Sequence, residues 1–213
     1  ISDDDAIRAA LDPRMNPYRL STLNVSAHSP LSRAAHHAFY TFPKKLSHTA
    51  DSQDQRHRMV PASRPLLTLT DTEAPDAVTP DLIAANPKAR AAFDEAVGGL
   101  WEAKRRLLAL GVEPQHALYL LPNAKAVRME ESGSLHYLLH KWTMRLCFNA
   151  QREIYDHSIE EFEQVAEVHP RFAPYIGPPC HLRKDLVQPY CTEGAHYCGV
   201  KVWKTFPKAE RRL

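Results

Sequence analysis

The chain has 213 residues, room for one large or two small domains with a real core, and its 44% hydrophobic and 24% charged residues are ordinary for a soluble globular protein. A formal charge of +2 excludes a strongly basic nucleic-acid scaffold, and no apolar run approaches the length that crosses a bilayer. Four cysteines in a chain this long do not make a disulfide scaffold; with no visible signal peptide, they point to a cytoplasmic address. The opening Ile1-Ser2-Asp3-Asp4-Asp5, without Met, reads as a processed chain or a piece of a longer one.

Residues 1–20 pair an acidic start with Ala-rich helix formers and end in the turn-like Asp12-Pro13 and Asn16-Pro17. From His28 to Tyr40, residues Leu31, Ala34, Ala35 and Ala38 recur at helical spacing, and Pro30 is tolerated in a first turn, so a short helix is expected. Ala38 to Phe42 reads as a strand that stops before Pro43-Lys44-Lys45. Leu46 to His57 fits an extended segment or a helix. Prolines 61, 65, 75 and 80 break the region from 59 to 87 into loop, with one short strand expected at Leu66–Leu69.

Asn86-Pro87 has the form of an N-cap followed by proline in the first helical turn. Phe93, Val97, Leu100, Leu107 and Leu108 then line one face of a long helix that Gly111 can end, with Lys104-Arg105-Arg106 read as its solvated face. Ser134 can cap a second long helix, in which Leu135, Leu138, Leu139, Trp142 and Leu146 form a narrow apolar stripe. At about 100° per residue, Arg145 and Asn149 fall along one edge of that stripe and His136 and His140 along the other. The Arg145 guanidinium suits a phosphate or a uracil carbonyl, or it pairs with Glu153 or another carboxylate. Beyond Pro170 the chain becomes irregular, rich in proline and cysteine.

The run from Leu121-Pro122 through Ser-Gly-Ser-Leu, Leu-Leu-His and an Arg-Leu pair to Ala150-Gln151-x-Glu153-Ile154 resembles the helix signature of flavin-dependent thymidylate synthases. Upstream, Ala38-Phe39-Tyr40-Thr41-Phe42 is similar to that family's H-x-x-F-T-F strand, with His37 at the histidine. Gln53-Asp54-Gln55-Arg56-His57-Arg58 looks like its Q-L-x-R-H-R motif. The matches run in order over roughly residues 28 to 155.

The resemblance implies an α/β (α+β) fold, a central mixed sheet flanked by long helices, with an irregular Cys/Pro-rich tail. It divides the chain into a flavin- and nucleotide-binding domain over 1–169 and an extension over 170–213. The implied activity is methylation of uracil C5, dUMP to dTMP, with methylenetetrahydrofolate as carbon donor and FAD, reduced by NADPH, as hydride donor. No protein nucleophile is then required; the chain's task is to hold anions and polarise the ring, work for Arg and His. By position, Arg145 would act on the uracil as the catalytic residue, and Gln53, Arg56, Ser63, Arg64 and Arg145 would bind the nucleotide. His37, Arg56, His57, Arg58, Ser134, His136, His140 and Asn149 would contact the flavin. A homotetramer with active sites between subunits is implied, with no membrane and no nucleic acid as partner.

The chain departs from the family pattern after the triplet. Where the family continues RHR-x-x-S-x-N-E-x-S-x-R-Y, Arg58-Met59-Val60-Pro61-Ala62-Ser63-Arg64 is shorter and lacks the glutamate. Leu118 and Arg152 stand where the family has arginine and often tryptophan, and Asn149 where many members have histidine. Two alternatives follow: a relaxed enzyme that methylates UMP as well as dUMP, or a non-catalytic nucleotide-binding half of a duplicated synthase. In the tail, Cys180, Cys191, His196 and Cys198 can complete a tetrahedral structural zinc site, or serve as small apolar core residues. Cys147 is expected in the core.

Overall fold

The structure is a computed structural model that describes residues 1–15 and 30–211; the expected Asn16-Pro17 turn and the start of a helix at His28 lie outside them. The chain divides into two compact units, Ile1–Phe42 with Ser132–Leu213, and Pro43–Glu131. No helix among the described residues is long and apolar enough to cross a membrane.

In the first unit, α1 spans Asp3–Leu11. Ser2 caps it by accepting from the Asp5 amide at 3.2 Å, and Asp3, Asp4 and Asp5 meet the positive end of the helix dipole. Pro30–His37 forms a 3₁₀ helix rather than an α-helical turn, and α1 packs on it. The expected strand follows as β1, Phe39–Ser47. It does not stop at Pro43, because β1 lies at the edge of a three-stranded sheet, where a missing amide donor is tolerated.

Residues His48–Asp54, left open between strand and helix, form α2. The short strand β2 lies at Ala62–Ser63, not at Leu66–Leu69. Leu69 N instead donates back to Leu66 O in a turn, and both leucines are exposed. A short α3 (Asp81–Ala84) precedes α4, Pro87–Ala109. Asn86 caps α4 as expected, its Oδ1 accepting from Lys88 N at 3.0 Å and Ala89 N at 3.2 Å. Gly111, with φ of 85°, turns the chain out of the helix.

The buried face of α4 is carried by Val97, Trp101 and Lys104. Lys104 is therefore not part of a solvated face. It is 1% exposed, and its Nζ donates to Asp71 Oδ2 at 2.6 Å and to Thr72 O at 2.8 Å. Arg105 and Arg106 are exposed, as expected, and pair with Glu102. After α5 (Pro114–Ala117) comes β3, Ala126–Ser134. Strand β2 runs antiparallel to β3, with Ala62 opposite Glu131 and Ser63 opposite Glu130. The α+β class holds, and among the described residues the sheet has three strands.

Helix α6 covers Leu135–Arg145. Leu135, Leu138, Trp142 and Leu146 are at most 1% exposed, and full burial of each such side chain is worth about 1.5–3 kcal/mol. Ser134 takes the N-cap position but makes no side-chain capping bond. Helix α7, Arg152–Val168, packs on α6 and was not foreseen as a separate element. Between them sits a buried ion pair, Lys141 Nζ to both Glu161 oxygens at 2.9 Å, with Trp142 Nε1 donating to Glu161 Oε2 at 2.7 Å. The short α8 (Pro179–Arg183) follows in the tail, whose Val202, Val200 and Phe206 pack with Phe148 and Tyr155 in one apolar cluster.

Removing one side of a buried ion pair leaves the other charge uncompensated. Glu161→Ala should therefore lower unfolding free energy by about 3–5 kcal/mol in chemical denaturation, and Lys141→Met combined with Glu161→Leu by clearly less. Equal losses would show that the pair does not join α6 to α7 in this way.

Candidate functional site

The expected site residues fall into two groups, one in each unit. In the Pro43–Glu131 unit, α2 begins at a capped end, Ser47 Oγ accepting from Ala50 N at 3.1 Å. The chain leaves α2 in successive turns: Arg56 N donates to Gln53 O, His57 N to Asp54 O, and Val60 N to His57 O. Those turns point Arg56 and Arg58 to solvent and leave His57 half-buried between them, with buried Val60 as anchor. Among the described residues no carboxylate pairs with either guanidinium, so both forks are open to an anion.

Beneath the triplet, Lys44 Nζ donates to Asp54 Oδ2 at 3.0 Å and to Glu131 Oε2 at 2.7 Å, with all three side chains almost wholly buried. This cluster ties β1, α2 and β3 together, and sequence reading missed it. Beside it opens a groove of about 970 Å³ whose lining includes Lys45, Ser63, Arg64, Arg128 and Glu130. Ser63 and Arg64, expected at the nucleotide, share this groove. Arg64 Nε donates to Asp51 Oδ1 at 2.6 Å, which fixes the guanidinium at one edge. Arg128, hydrogen-bonded to Asp76, holds that carboxyl below the usual range, and Lys45 adds to the effect.

In the other unit, α6 supplies Ser134, His136, His140 and Arg145. His36 rather than His37 meets them: its Nδ1 lies 3.0 Å from Ser134 Oγ, and its ring is 4.4 Å from that of His136 and 4.9 Å from that of Tyr137. His37 is exposed. The His36-His37 doublet was the only sequence signal for this cluster, and it does not say which ring turns inward. His136 Nδ1 donates to Ser32 O at 3.3 Å; burial pushes its pKa below 6.5, and the neighbouring His36 adds to the shift. His140 stands exposed one turn on.

Arg145 is the last residue of α6, and Leu146 is its C-cap. Asn149 is therefore not on the helix, and the expected shared edge of Arg145 and Asn149 does not form. The Asn149 amide instead donates to Glu193 Oε2 at 3.1 Å and to His196 O at 2.9 Å. Gln53 Oε1, His57 Nε2 and Arg145 Nε are buried atoms without a hydrogen bond, although each of these residues has other interactions.

The tail cysteines do approach one another. Cys180, Cys191 and Cys198 line one small cavity of about 20 Å³, and Cys147 from beyond the end of α6 joins them; His196 does not. All four are free thiols. Burial pushes the Cys180 thiol up to about 12 and also raises Cys147, which keeps both protonated. Among the described residues no group of three or more His, Cys, Asp or Glu side chains is placed to hold a metal ion. The zinc site expected on Cys180, Cys191, His196 and Cys198 is thus not formed.

In an α+β scaffold, the Pro43–Glu131 unit thus exposes two arginines that pair with no carboxylate among the described residues, and the other unit gathers histidines at the start of α6. The chain matches the family model described as thymidylate synthase complementing protein over residues 18–171, and it belongs to that family. It is similar to the flavin-dependent thymidylate synthase of Sulfurisphaera tokodaii, 29% identical over 157 residues that cover 71% of this chain and 60% of the relative. Against the protein of that name from Geobacter sulfurreducens it is 31% identical over 167 residues, 76% of this chain and 69% of the relative. Against that of Saccharolobus solfataricus it is 28% identical over 155 residues, 71% and 59% respectively. The chain thus spans about six to seven tenths of the length of these relatives.

Because the folded state holds His136 below its ordinary pKa of 6.5, it binds fewer protons than the unfolded chain as pH falls past that value. The stability associated with neutral His136 is present above 6.5 and is lost on acidification. Melting temperatures recorded from pH 7.5 to 5 should fall less steeply for His136→Gln than for the parent chain; parallel curves would contradict the assignment.

Proposed function

We propose that the chain takes part in flavin-dependent methylation of uracil C5, converting dUMP to dTMP with methylenetetrahydrofolate as the carbon donor and NADPH as the source of reducing equivalents. The observation that carries this reading is the family match over residues 18–171, a span that contains both the Arg56-His57-Arg58 turn and the α6 helix. The relatives that share it bear the name flavin-dependent thymidylate synthase.

The residues present fit FAD as a cofactor. Arg56 and Arg58, which pair with no carboxylate among the described residues, offer two guanidinium forks for phosphate oxygens, and Ser134, His136 and His140 offer hydroxyl and imidazole contacts for a flat heteroaromatic ring, with His57, His37 and Asn149 as further contacts. FAD, when bound and reduced, supplies the hydride. The protein's own part is electrostatic. Ser63 and Arg64 sit in the basic groove suited to the nucleotide phosphate, with Gln53 and Arg56 as further nucleotide contacts. Arg145, always charged and half-buried, is the group to stabilise negative charge developing on a uracil carbonyl. Cys147 and Cys180, held protonated by burial, are poor nucleophiles, in keeping with a reaction that needs none from the protein.

In this reading residues 1–169 carry the flavin and nucleotide site and 170–213 form an extension. The active assembly is a cytoplasmic homotetramer with its sites between subunits. A relaxed specificity that admits UMP is the second reading. The short Met59–Ala62 link favours it, since the loop lacks the family's glutamate and Arg64 is drawn to Asp51.

Turnover of dUMP and of UMP, followed by mass spectrometry of the nucleotide with methylenetetrahydrofolate and NADPH present, tests both. We expect a methylated product from dUMP, and Arg145→Ala should lose about 100-fold or more in kcat while melting near the parent temperature. An Arg145→Ala enzyme with parental kcat would remove Arg145 from the mechanism, and nucleotide binding without methylation would favour a non-catalytic half of a duplicated synthase.

A further inference from the structure

A second cavity in the Pro43–Glu131 unit belongs to none of the residues assigned above. It has a volume of about 380 Å³, within the range of small-molecule sites, and its walls include Leu67, Leu118, Leu121, His48, Asn123 and Lys125. It is framed by backbone bonds that fix its shape: His48 N donates to Lys125 O at 2.9 Å, Thr49 N to Asn123 O at 3.1 Å, and Lys125 N to Pro122 O at 2.8 Å. The start of α2 is thereby clamped to the turn that leads into β3. The leucines give the cavity an apolar body; Asn123 and His48 give it neutral polar contacts.

Lys125 is the feature that points to a ligand. It is 3% exposed and lines the cavity, yet among the described residues its ammonium makes no ion pair and no hydrogen bond. The carboxylates whose fields reach it are Asp71 and Asp76, and both are already engaged. Asp71 accepts from Lys104 at 2.6 Å, and Asp76 is held by Arg128 and by Lys45 at 3.1 Å. Burial lowers the Lys125 pKa, and Lys104 and Arg128 repel its charge further. A lysine withdrawn from bulk water without a contact counter-ion is unfavourable, and buried charges are ordinarily paired. An anion entering this cavity would supply the missing pair, and only one with an apolar body would also fill the leucine-lined remainder.

We propose that this cavity is a binding site for a small aromatic monocarboxylate, with Lys125 as the counter-ion of its carboxylate and Leu67, Leu118 and Leu121 against its ring. The site is separate from the basic groove at Ser63 and Arg64 and does not depend on the methylation reading. One face of α2 starts at this cavity and its other end delivers Arg56-His57-Arg58, so an occupant would press on the same helix that presents the triplet.

The test uses the full chain and ligand-observed ¹⁹F NMR with 4-(trifluoromethyl)benzoate, set against its neutral analogue 4-(trifluoromethyl)benzamide. Saturable broadening of the benzoate is expected, with the benzamide bound roughly tenfold more weakly or not at all. Lys125→Met should weaken the benzoate by a similar factor, Lys125→Arg should retain it, and Leu118→Trp should block it by filling the cavity. Equal binding of acid and amide to the parent chain, or no binding of the acid, overturns the proposal without recourse to any variant. Benzoate binding that survives both Lys125→Met and Leu118→Trp also overturns it.

Discussion

Lys44 holds Asp54 and Glu131 together out of water, and the candidate site in its unit depends on that contact. The three charges come from β1, α2 and β3, and their N–O distances of 3.0 and 2.7 Å leave little freedom to any of the three elements. Burial makes the arrangement all-or-none. One ammonium between two carboxylates is tolerable in a desolvated site, whereas any member left alone is not. Asp54 is two residues before Arg56, and its carbonyl accepts from His57 N. The direction in which the Arg-His-Arg turn leaves α2 is therefore set by this buried salt cluster.

The other unit solves a similar problem by different means. Lys141 and Glu161 bind α6 to α7, and the Trp142 indole completes the carboxylate's hydrogen bonds. With its apolar stripe buried and its interior charge paired, α6 can present Arg145 at its final turn and His136 near its first. Burial lowers the pKa of His136, which favours its neutral form, and a neutral imidazole can both donate and accept, which suits contact with a heteroaromatic ring edge.

Much of this was legible in the sequence where the signal was local. The Asn86-Pro87 cap, Gly111 and the Leu135–Leu146 stripe each act within a few residues, and α4 and the start of α6 came out close to their expected bounds. The Arg-His-Arg triplet was legible as a motif. What escaped depends on distance along the chain or on small backbone choices. Lys44 and Glu131 are 87 residues apart, and Lys104 looked like part of a surface cluster until Asp71 was seen beneath it. Pro43 suggested a strand end only because an edge position could not be known. Asn149 was assigned to α6 because neither glycine nor proline marks the exit at Leu146; the helix ends where the chain turns toward the tail, whose Glu193 and His196 claim the amide. The cysteines were rightly grouped, but Cys147 rather than His196 completes their cavity.

Family membership gives the fold and the site a common interpretation, and its central claim is that this chain holds a flavin. The direct measurement is the visible absorption spectrum of the chain purified without added cofactor, followed by titration with FAD. The account predicts a flavin spectrum, or saturable FAD binding that Arg56→Ala combined with Arg58→Ala weakens by roughly tenfold or more while the fold persists. A colourless, folded chain that takes up no FAD would contradict it.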